Sequence, residues 1–247
     1  MNKIELLVLD MAGTTVRDER EVERCFFEAA DATGLQADPA RIVGMMGLPK
    51  RVVFETLWQE QLGADSADLV NKIDESYIKF KIVLENHYQT QPVEPTEGCL
   101  EAFAWAKAQG IPIALNTGFY REVTDMILQR LGWDQGLDAH YVGSRDRLIQ
   151  YSVTPSEIHG NEGRPAPFMI QKAMYRLGVT DPQRVVVIGD TPSDLAAGMN
   201  AHAWSLGVTN GTHTRSQLEE YPHHGLLDSL HDLESALATL FSQQLFT

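Results

Sequence analysis

The chain has 247 residues, and 20 Lys and Arg against 34 Asp and Glu leave a formal net charge of −14. This charge repels polyanions, so the composition argues against a nucleic-acid-binding protein. A hydrophobic content of 43% is typical of a globular protein, and no apolar run approaches the ~18 residues that span a bilayer. We therefore expect a cytoplasmic protein without membrane association. Cys25 and Cys99 lie far apart and indicate neither a disulfide framework nor a cysteine-based zinc site.

Short apolar runs that stop at polar residues predict the strands of a parallel sheet. Their near-continuous hydrophobicity is typical of strands buried on both faces. The clearest predicted strands are 4–9, 111–115 and 184–188, and the weaker ones are 140–142 and 203–208.

Helical patterns alternate with these runs, and most stop at a glycine. The predicted helices span 97–109, 121–131, 166–177 and 193–200. This alternation predicts an α/β fold, a doubly wound parallel sheet with right-handed crossovers. The long connection 144–166 contains no obvious strand, and it is either a solvated loop or a lid that recognises substrate.

Residues 16–93 break the alternation because their apolar periodicity is helical throughout. Charged residues at 17–20 and prolines at 92–96 resemble linkers. We therefore predict a helical cap domain at 16–93 and an α/β catalytic core formed by 1–15 and 94–247. An insert after the first strand is expected to cover the carboxyl edge of the sheet, where open α/β sheets bind ligands.

The residues that end the predicted strands suggest a site for phosphoryl chemistry. Asp10, Thr117 and Asp190 follow three strands, and Asp194 comes four residues after Asp190. Each alone could be a turn or helix-capping residue, but together they converge on one edge of the sheet. Carboxylates from two strands suit Mg²⁺. Arg164, just before a predicted helix, is a candidate cation for phosphoryl oxygens, which the amides near Gly118 would also bind.

These motifs, in chain order, resemble the four motifs of the haloacid dehalogenase superfamily, and the helical insert resembles its cap. They are 10–14, Thr117, Arg164 and 189–194. The resemblance implies that Asp10 is a nucleophile that forms an aspartyl-phosphate. It also implies an Mg²⁺ site formed by Asp10, Asp190 and the carbonyl of Ala12, with Asp194 supporting or joining it. Gly13, Thr14 and Gly118 are the phosphate-binding candidates beside Thr117 and Arg164.

Two residues make the chain similar to the phosphonatase branch of that superfamily. Ala12 stands where phosphatases of the superfamily usually carry a proton-donating aspartate, and Lys50 matches a Met-Gly-x-x-Lys pattern that begins at Met46. The branch assigns such a lysine to a Schiff base with an aldehyde, which accepts the electrons of the breaking C–P bond. Met46 is either cap core or an apolar wall of the substrate site.

Departures from the phosphonatase pattern leave other functions open. Val53 replaces a histidine, Phe119 replaces a tyrosine, and no cysteine lies near residues 18–22. The sequence therefore predicts an Mg²⁺-dependent hydrolase of a small phosphonate, with hydrolysis of phosphate esters and non-catalytic binding of a phosphorylated ligand as alternatives. An amphipathic helix predicted at 230–246 either packs on the core or forms a homodimer face.

Overall fold

The structure, a computed structural model, describes residues 4–242 of the chain. These residues divide into two compact units. One is a helical unit, Arg20–Pro92, and the other is formed by the described residues on either side of it. Within the described range, no helix has both the length and the apolar character needed to cross a bilayer.

The helical unit is held together by aromatic side chains on the apolar faces of its helices. Phe26 and Phe54 stack with ring centroids 4.2 Å apart, and Phe80 lies 6.0 and 6.2 Å from them. Burial of such a side chain stabilises a fold by roughly 1.5–3 kcal/mol. The helices are α1 (Glu21–Thr33), α2 (Pro39–Val43), α3 (Lys50–Leu62) and α4 (Leu69–Thr90).

The larger unit is built on a parallel sheet. Its strands are β1 (Leu6–Leu9), β2 (Ile113–Asn116), β3 (Tyr151–Val153), β4 (Val185–Gly189), β5 (Trp204–Val208) and β6 (Gly225–Leu227), in the order β3-β2-β1-β4-β5-β6. In the centre, Leu9 of β1 is in register with Leu115 of β2 on one side and Ile188 of β4 on the other. Because parallel strands end at the same edge, the residues that follow β1, β2 and β4 share one crevice.

Helices flank this sheet, which explains why its central strands are apolar on both faces. All residues of β1 and β2 are buried. The helices are α5 (Cys99–Ala108), α6 (Arg121–Leu131), α7 (Phe168–Leu177), α8 (Pro192–Asn200), α9 (Arg215–Leu218) and α10 (Leu233–Ser242). The doubly wound α/β prediction is confirmed, as are the strands at 4–9, 111–115, 184–188 and 203–208.

The strand next to β2 lies in a different place from the one predicted. The prediction at 140–142 is wrong, because Tyr141 has a left-handed φ of 60° and Val142 forms only an isolated bridge. The strand is instead β3, inside the connection 144–166 where none was expected. Both β3 and β6 have three residues, too few to show a hydrophobic period. The predicted terminal helix begins with a 3₁₀ turn at Leu230–Asp232 and continues as α10, and its last predicted residues lie outside the described range.

Candidate active site

Three buried carboxylates meet at the carboxyl edge of the sheet. Asp10 follows β1 and Asp190 follows β4, while Asp194 lies in the first turn of α8. One oxygen of each lies within 4.8 Å of the others. Asp194 also completes a capping box, since its Oδ2 accepts hydrogen bonds from the Thr191 amide at 3.1 Å and Thr191 Oγ1 at 2.6 Å. Asp194 is therefore both a helix cap and a member of the cluster.

Arg164 lies against two of these carboxylates. Its Nη1 is 2.7 Å from Asp10 Oδ1 and also contacts Asp194 Oδ1. The side chains of Arg164 and Asp10 are each only 5% exposed, so the charges interact with little solvent screening. The Asp10–Arg164 contact is an ion pair without hydrogen-bond geometry, because Asp10 Oδ1 accepts no hydrogen bond within the described part of the chain. The structure thus brings together four residues predicted from sequence, Asp10, Arg164, Asp190 and Asp194.

Burial and mutual repulsion disfavour the ionised carboxylates. Burial raises the pKa of Asp10 well above its usual range, and the charge of Arg164 opposes that shift. Burial and the charge of Asp194 raise the pKa of Asp190 to about 6, although a hydrogen bond from Thr212 opposes the rise. One guanidinium among these groups leaves the cluster with excess negative charge, which a further cation would stabilise.

The donor set fits a hard divalent cation. Mg²⁺ prefers carboxylate and carbonyl oxygens, and the cluster offers carboxylate oxygens from three side chains. Thr14 Oγ1 lies 3.4 Å from Asp190 Oδ1 and helps to orient that carboxylate. Ala12 lies in the turn that follows Asp10, partly exposed, and the role of its carbonyl as a ligand stays a prediction.

Glycine is required at two positions where the backbone approaches Asp190. Gly13 has φ of +86°, and a Cβ built there would lie 2.3 Å from Asp190 Oδ2. A Cβ on Gly211 would lie 2.5 Å from Asp190 Oδ2 and 2.5 Å from the Gly13 carbonyl oxygen. A side chain at either position would displace the carboxylate.

Sequence reasoning missed the loop after β5, which reaches the same site. The amide of Thr212 donates to Asp190 Oδ2 at 2.6 Å. The neighbouring His213 is 6% exposed and its ring contacts the backbone of Asp190, with its pKa lowered by burial. The signal available was an Asn-Gly-Thr-His segment that begins two residues after the end of a predicted strand, at the edge where the other site residues were expected.

Thr117 and Gly118 lie at the end of β2, on the opposite side of β1 from Asp190. Thr117 is buried, and its Oγ1 accepts a hydrogen bond from the amide of Phe119 at 3.2 Å. That bond orients the hydroxyl and leaves its proton available for donation. Binding of a phosphoryl group by Thr117, Gly118, Gly13 and Thr14 stays a prediction.

The remaining predicted residues belong to the helical unit. Lys50 is the first residue of α3 and is half-buried, with its Nζ 3.3 Å from the carbonyl oxygen of Leu48. Met46 is buried in the short turn that precedes this helix. Their roles in catalysis stay predictions.

The fold and the cluster define a class of hydrolase that has an aspartate at the end of the first strand of a doubly wound sheet. A family model described as haloacid dehalogenase-like hydrolase matches residues 4–202. The chain belongs to that family, and the family resemblance seen in its motifs is confirmed.

Similar proteins narrow the comparison to one branch of the family. The chain is 30% identical over 233 residues to a phosphonoacetaldehyde hydrolase of Bacteroides fragilis, with 90% of this chain and 82% of that protein covered. It is 29% identical over 227 residues to a phosphonoacetaldehyde hydrolase of Bacillus cereus, with 85% and 77% covered. At this moderate identity the enzyme is phosphonatase-like.

Solved structures agree with the fold. A hydrolase from Pseudomonas syringae superposes with a TM-score of 0.78 at 18% identity, covering 95% of this chain and 98% of that one. A phosphonoacetaldehyde hydrolase-like protein from Oleispira antarctica gives a TM-score of 0.77 at 20% identity, covering 97% and 93%.

Proposed function

We propose that this protein is an Mg²⁺-dependent phosphonatase that cleaves the C–P bond of phosphonoacetaldehyde or a related small phosphonate. The observation that carries the proposal is the buried Asp10–Arg164 pair within a cluster of three carboxylates. The alanine at position 12 and the lysine at position 50 extend the proposal from phosphate esters to a phosphonate.

Asp10 is the proposed nucleophile. Its carboxylate oxygen attacks phosphorus in line, forming an O–P bond as the C–P bond breaks. Arg164, held 2.7 Å from Asp10, favours the ionised form of the attacking carboxylate, against the effect of burial, and binds the transferred phosphoryl oxygens. Water then hydrolyses the aspartyl-phosphate, which releases inorganic phosphate and restores Asp10.

Asp10, Asp190, Asp194 and the carbonyl of Ala12 are the proposed ligands for Mg²⁺. When bound, the ion supplies positive charge that offsets the repulsion between Asp10 and a phosphoryl dianion. Thr117 Oγ1 and the amides of Gly118, Gly13 and Thr14 hold the phosphoryl group from the protein side.

Lys50 is the proposed acceptor of the electron pair that C–P cleavage releases. Its neutral amine condenses with the substrate aldehyde and expels water, which gives an iminium ion. The electrons of the C–P bond flow into that iminium and produce an enamine. Protonation and hydrolysis of the enamine then free an aldehyde and regenerate the amine. No acid at position 12 is needed for this leaving group, which is consistent with alanine there.

Hydrolysis of phosphate esters is the second candidate, and two buried apolar residues favour it. Val53, which stands in place of the phosphonatase histidine, is fully buried in that unit. Phe119, in place of the tyrosine, is also buried and has no hydroxyl to donate. Both losses remove polar groups that the phosphonatase branch uses.

Phosphate release distinguishes the two candidates. We would incubate the protein and Mg²⁺ with phosphonoacetaldehyde and, separately, with a panel of small phosphate esters. Turnover of the phosphonate supports the proposal, turnover of esters alone supports the phosphatase, and binding of phosphate without any turnover supports a binding protein.

Mg²⁺ is expected to stabilise the protein, and more so above pH 6 than below it. The pKa of Asp190 rises from 3.8 when unfolded to about 6 when folded, so its ionised form destabilises the metal-free fold. As pH falls through about 6, proton uptake restores that stability and competes with the metal. Thermal melts should show a gain of about 5 °C or more with saturating Mg²⁺ near pH 7.5, and a smaller gain near pH 5.

The matched variant for this prediction is Asp190→Asn. It removes a buried charge, so the metal-free protein should melt at a higher temperature near neutral pH while losing the response to Mg²⁺. An equal response to Mg²⁺ in Asp190→Asn and wild type would place the ion elsewhere.

Ala12→Asp is expected to raise kcat/KM for phosphate esters by about 10²-fold, because the new carboxyl can protonate an alkoxide leaving group. Ala12 is partly exposed, so the added carboxyl would keep some contact with solvent. Ala12→Asn has nearly the same shape and donates no such proton, so it serves as the control. Equal ester rates for the two variants would show that a proton donor is not what limits ester hydrolysis.

A further inference from the structure

A second buried cation, Arg121, lies at the start of α6, four residues after Thr117. Its guanidinium forms a two-pronged pair with Glu157, with Nε 2.9 Å from Oε1 and Nη2 2.8 Å from Oε2. It also donates to the hydroxyl and carbonyl oxygens of Ser152, both at 3.1 Å. The ring of Tyr141 covers its face at 3.6 Å. The Arg121 side chain therefore has no room to bind a ligand and acts on its neighbours.

Glu157 organises the turn that follows β3. Its Oε2 accepts hydrogen bonds from the Thr154 amide at 2.7 Å and from Thr154 Oγ1 at 3.1 Å. Its carbonyl oxygen accepts from Lys172 Nζ of α7. The turn is thereby attached at its side chain and at its backbone, seven residues before Arg164.

The same turn also contacts the loop that carries Thr117. Ser156 Oγ accepts from the Arg121 amide at 3.2 Å, at the beginning of α6. The acidic Glu157 also lies at this N-terminal end, where a helix dipole favours negative charge. Arg121 and Glu157 thus connect two segments. The segment 117–120 carries Thr117, and the segment 158–164 carries Arg164.

Stability alone is a weak reason for such a pair. Removing two charges from water costs about as much as their attraction returns, so apolar replacements are often as stable. A pair of apolar side chains in place of the two charged ones lacks the fixed fork geometry with which a guanidinium binds a carboxylate. This difference separates a positioning role from a purely structural one.

We propose that Arg121 and Glu157 are positioning residues for phosphoryl binding, which hold the Thr117 loop and the Arg164 segment in mutual register. The inference rests on the proposed function, since it assigns Thr117 and Arg164 to the phosphoryl group. Neither Arg121 nor Glu157 touches the substrate.

The test compares the double variant Arg121→Met/Glu157→Leu with a matched control, Glu5→Leu/Arg184→Met. The control removes an ion pair before β1 and β4, at the opposite end of the strands. Calorimetry with inorganic phosphate and Mg²⁺ gives the affinity of the site, and thermal melts and steady-state kinetics are measured in parallel.

We expect the double variant to melt within about 5 °C of wild type, with phosphate affinity weakened and KM raised at least about 10-fold. We expect kcat to change less, and the control to bind phosphate as wild type does. Phosphate affinity and KM within twofold of wild type would overturn the inference.

If the double variant fails to fold, Arg121→Lys decides the question, because it keeps the charge and loses the fork. At least about fivefold weaker phosphate binding in folded Arg121→Lys supports the positioning role, and unchanged binding overturns it. Wild-type protein that neither binds nor releases phosphate overturns the proposed function and this inference with it. Wild-type binding beside unchanged variants overturns only the positioning role.

Discussion

Asp10→Asn should lower phosphate release by at least about 10⁴-fold on every substrate that the wild-type protein hydrolyses. The amide has the shape of the carboxylate but is a poor nucleophile, so the aspartyl-phosphate cannot form. Phosphate release under saturating Mg²⁺, with phosphonates and esters assayed side by side, measures the loss.

The stability of Asp10→Asn separates this role from a structural one. Burial raises the pKa of Asp10, so its charge weakens the metal-free fold, and Arg164 keeps Asp194 as a partner in the variant. The metal-free variant should therefore melt at or above the wild-type temperature. Normal turnover in a folded Asp10→Asn protein would remove Asp10 from the mechanism, and loss of both activity and folding would point to a structural role.

Lys50→Ala should lower phosphonoacetaldehyde cleavage by at least about 10³-fold and leave any phosphate-ester hydrolysis within about twofold of wild type. The amine is needed only where a carbanion must be stabilised, which does not occur when a C–O–P ester is hydrolysed. The ratio of the two activities in the variant and in wild type is the decisive measurement.

The matched control for Lys50 is Lys79→Ala, which removes a lysine from α4 of the same unit. Borohydride added during turnover should reduce the iminium and attach the substrate carbon to Lys50, and peptide mass spectrometry should find Lys79 unmodified. Normal phosphonate cleavage without a label at Lys50 would refute the Schiff base while leaving the role of Asp10 intact.

Most of the carboxylate cluster could be predicted from the sequence because two regular patterns coincide. Continuous apolar runs mark buried parallel strands, and parallel strands deliver the residues after them to one edge. Asp10 and Asp190 follow such runs, and the structure places both in the cluster. Arg164 follows no predicted strand and is indicated instead by its motif beside a helix start, and it too lies against Asp10.

The loop after β5 illustrates what such patterns miss. Thr212 donates its backbone amide to Asp190, and any residue type except proline has such an amide, so this contact leaves no pattern in the sequence. Gly211 is required because a Cβ would meet Asp190 and Gly13, a clash between segments that are remote in sequence.

The sequence by itself therefore determined the α/β class, the central strands and the residues at their carboxyl ends, since each depends on local periodicity. Only the tertiary structure decided the position of β3, the approach of the 211–213 loop and the Arg121–Glu157 pair. β3 is too short to have a period, and the other two arise from contacts across the sheet edge. Such contacts depend on how distant segments pack, and a linear pattern does not record that packing.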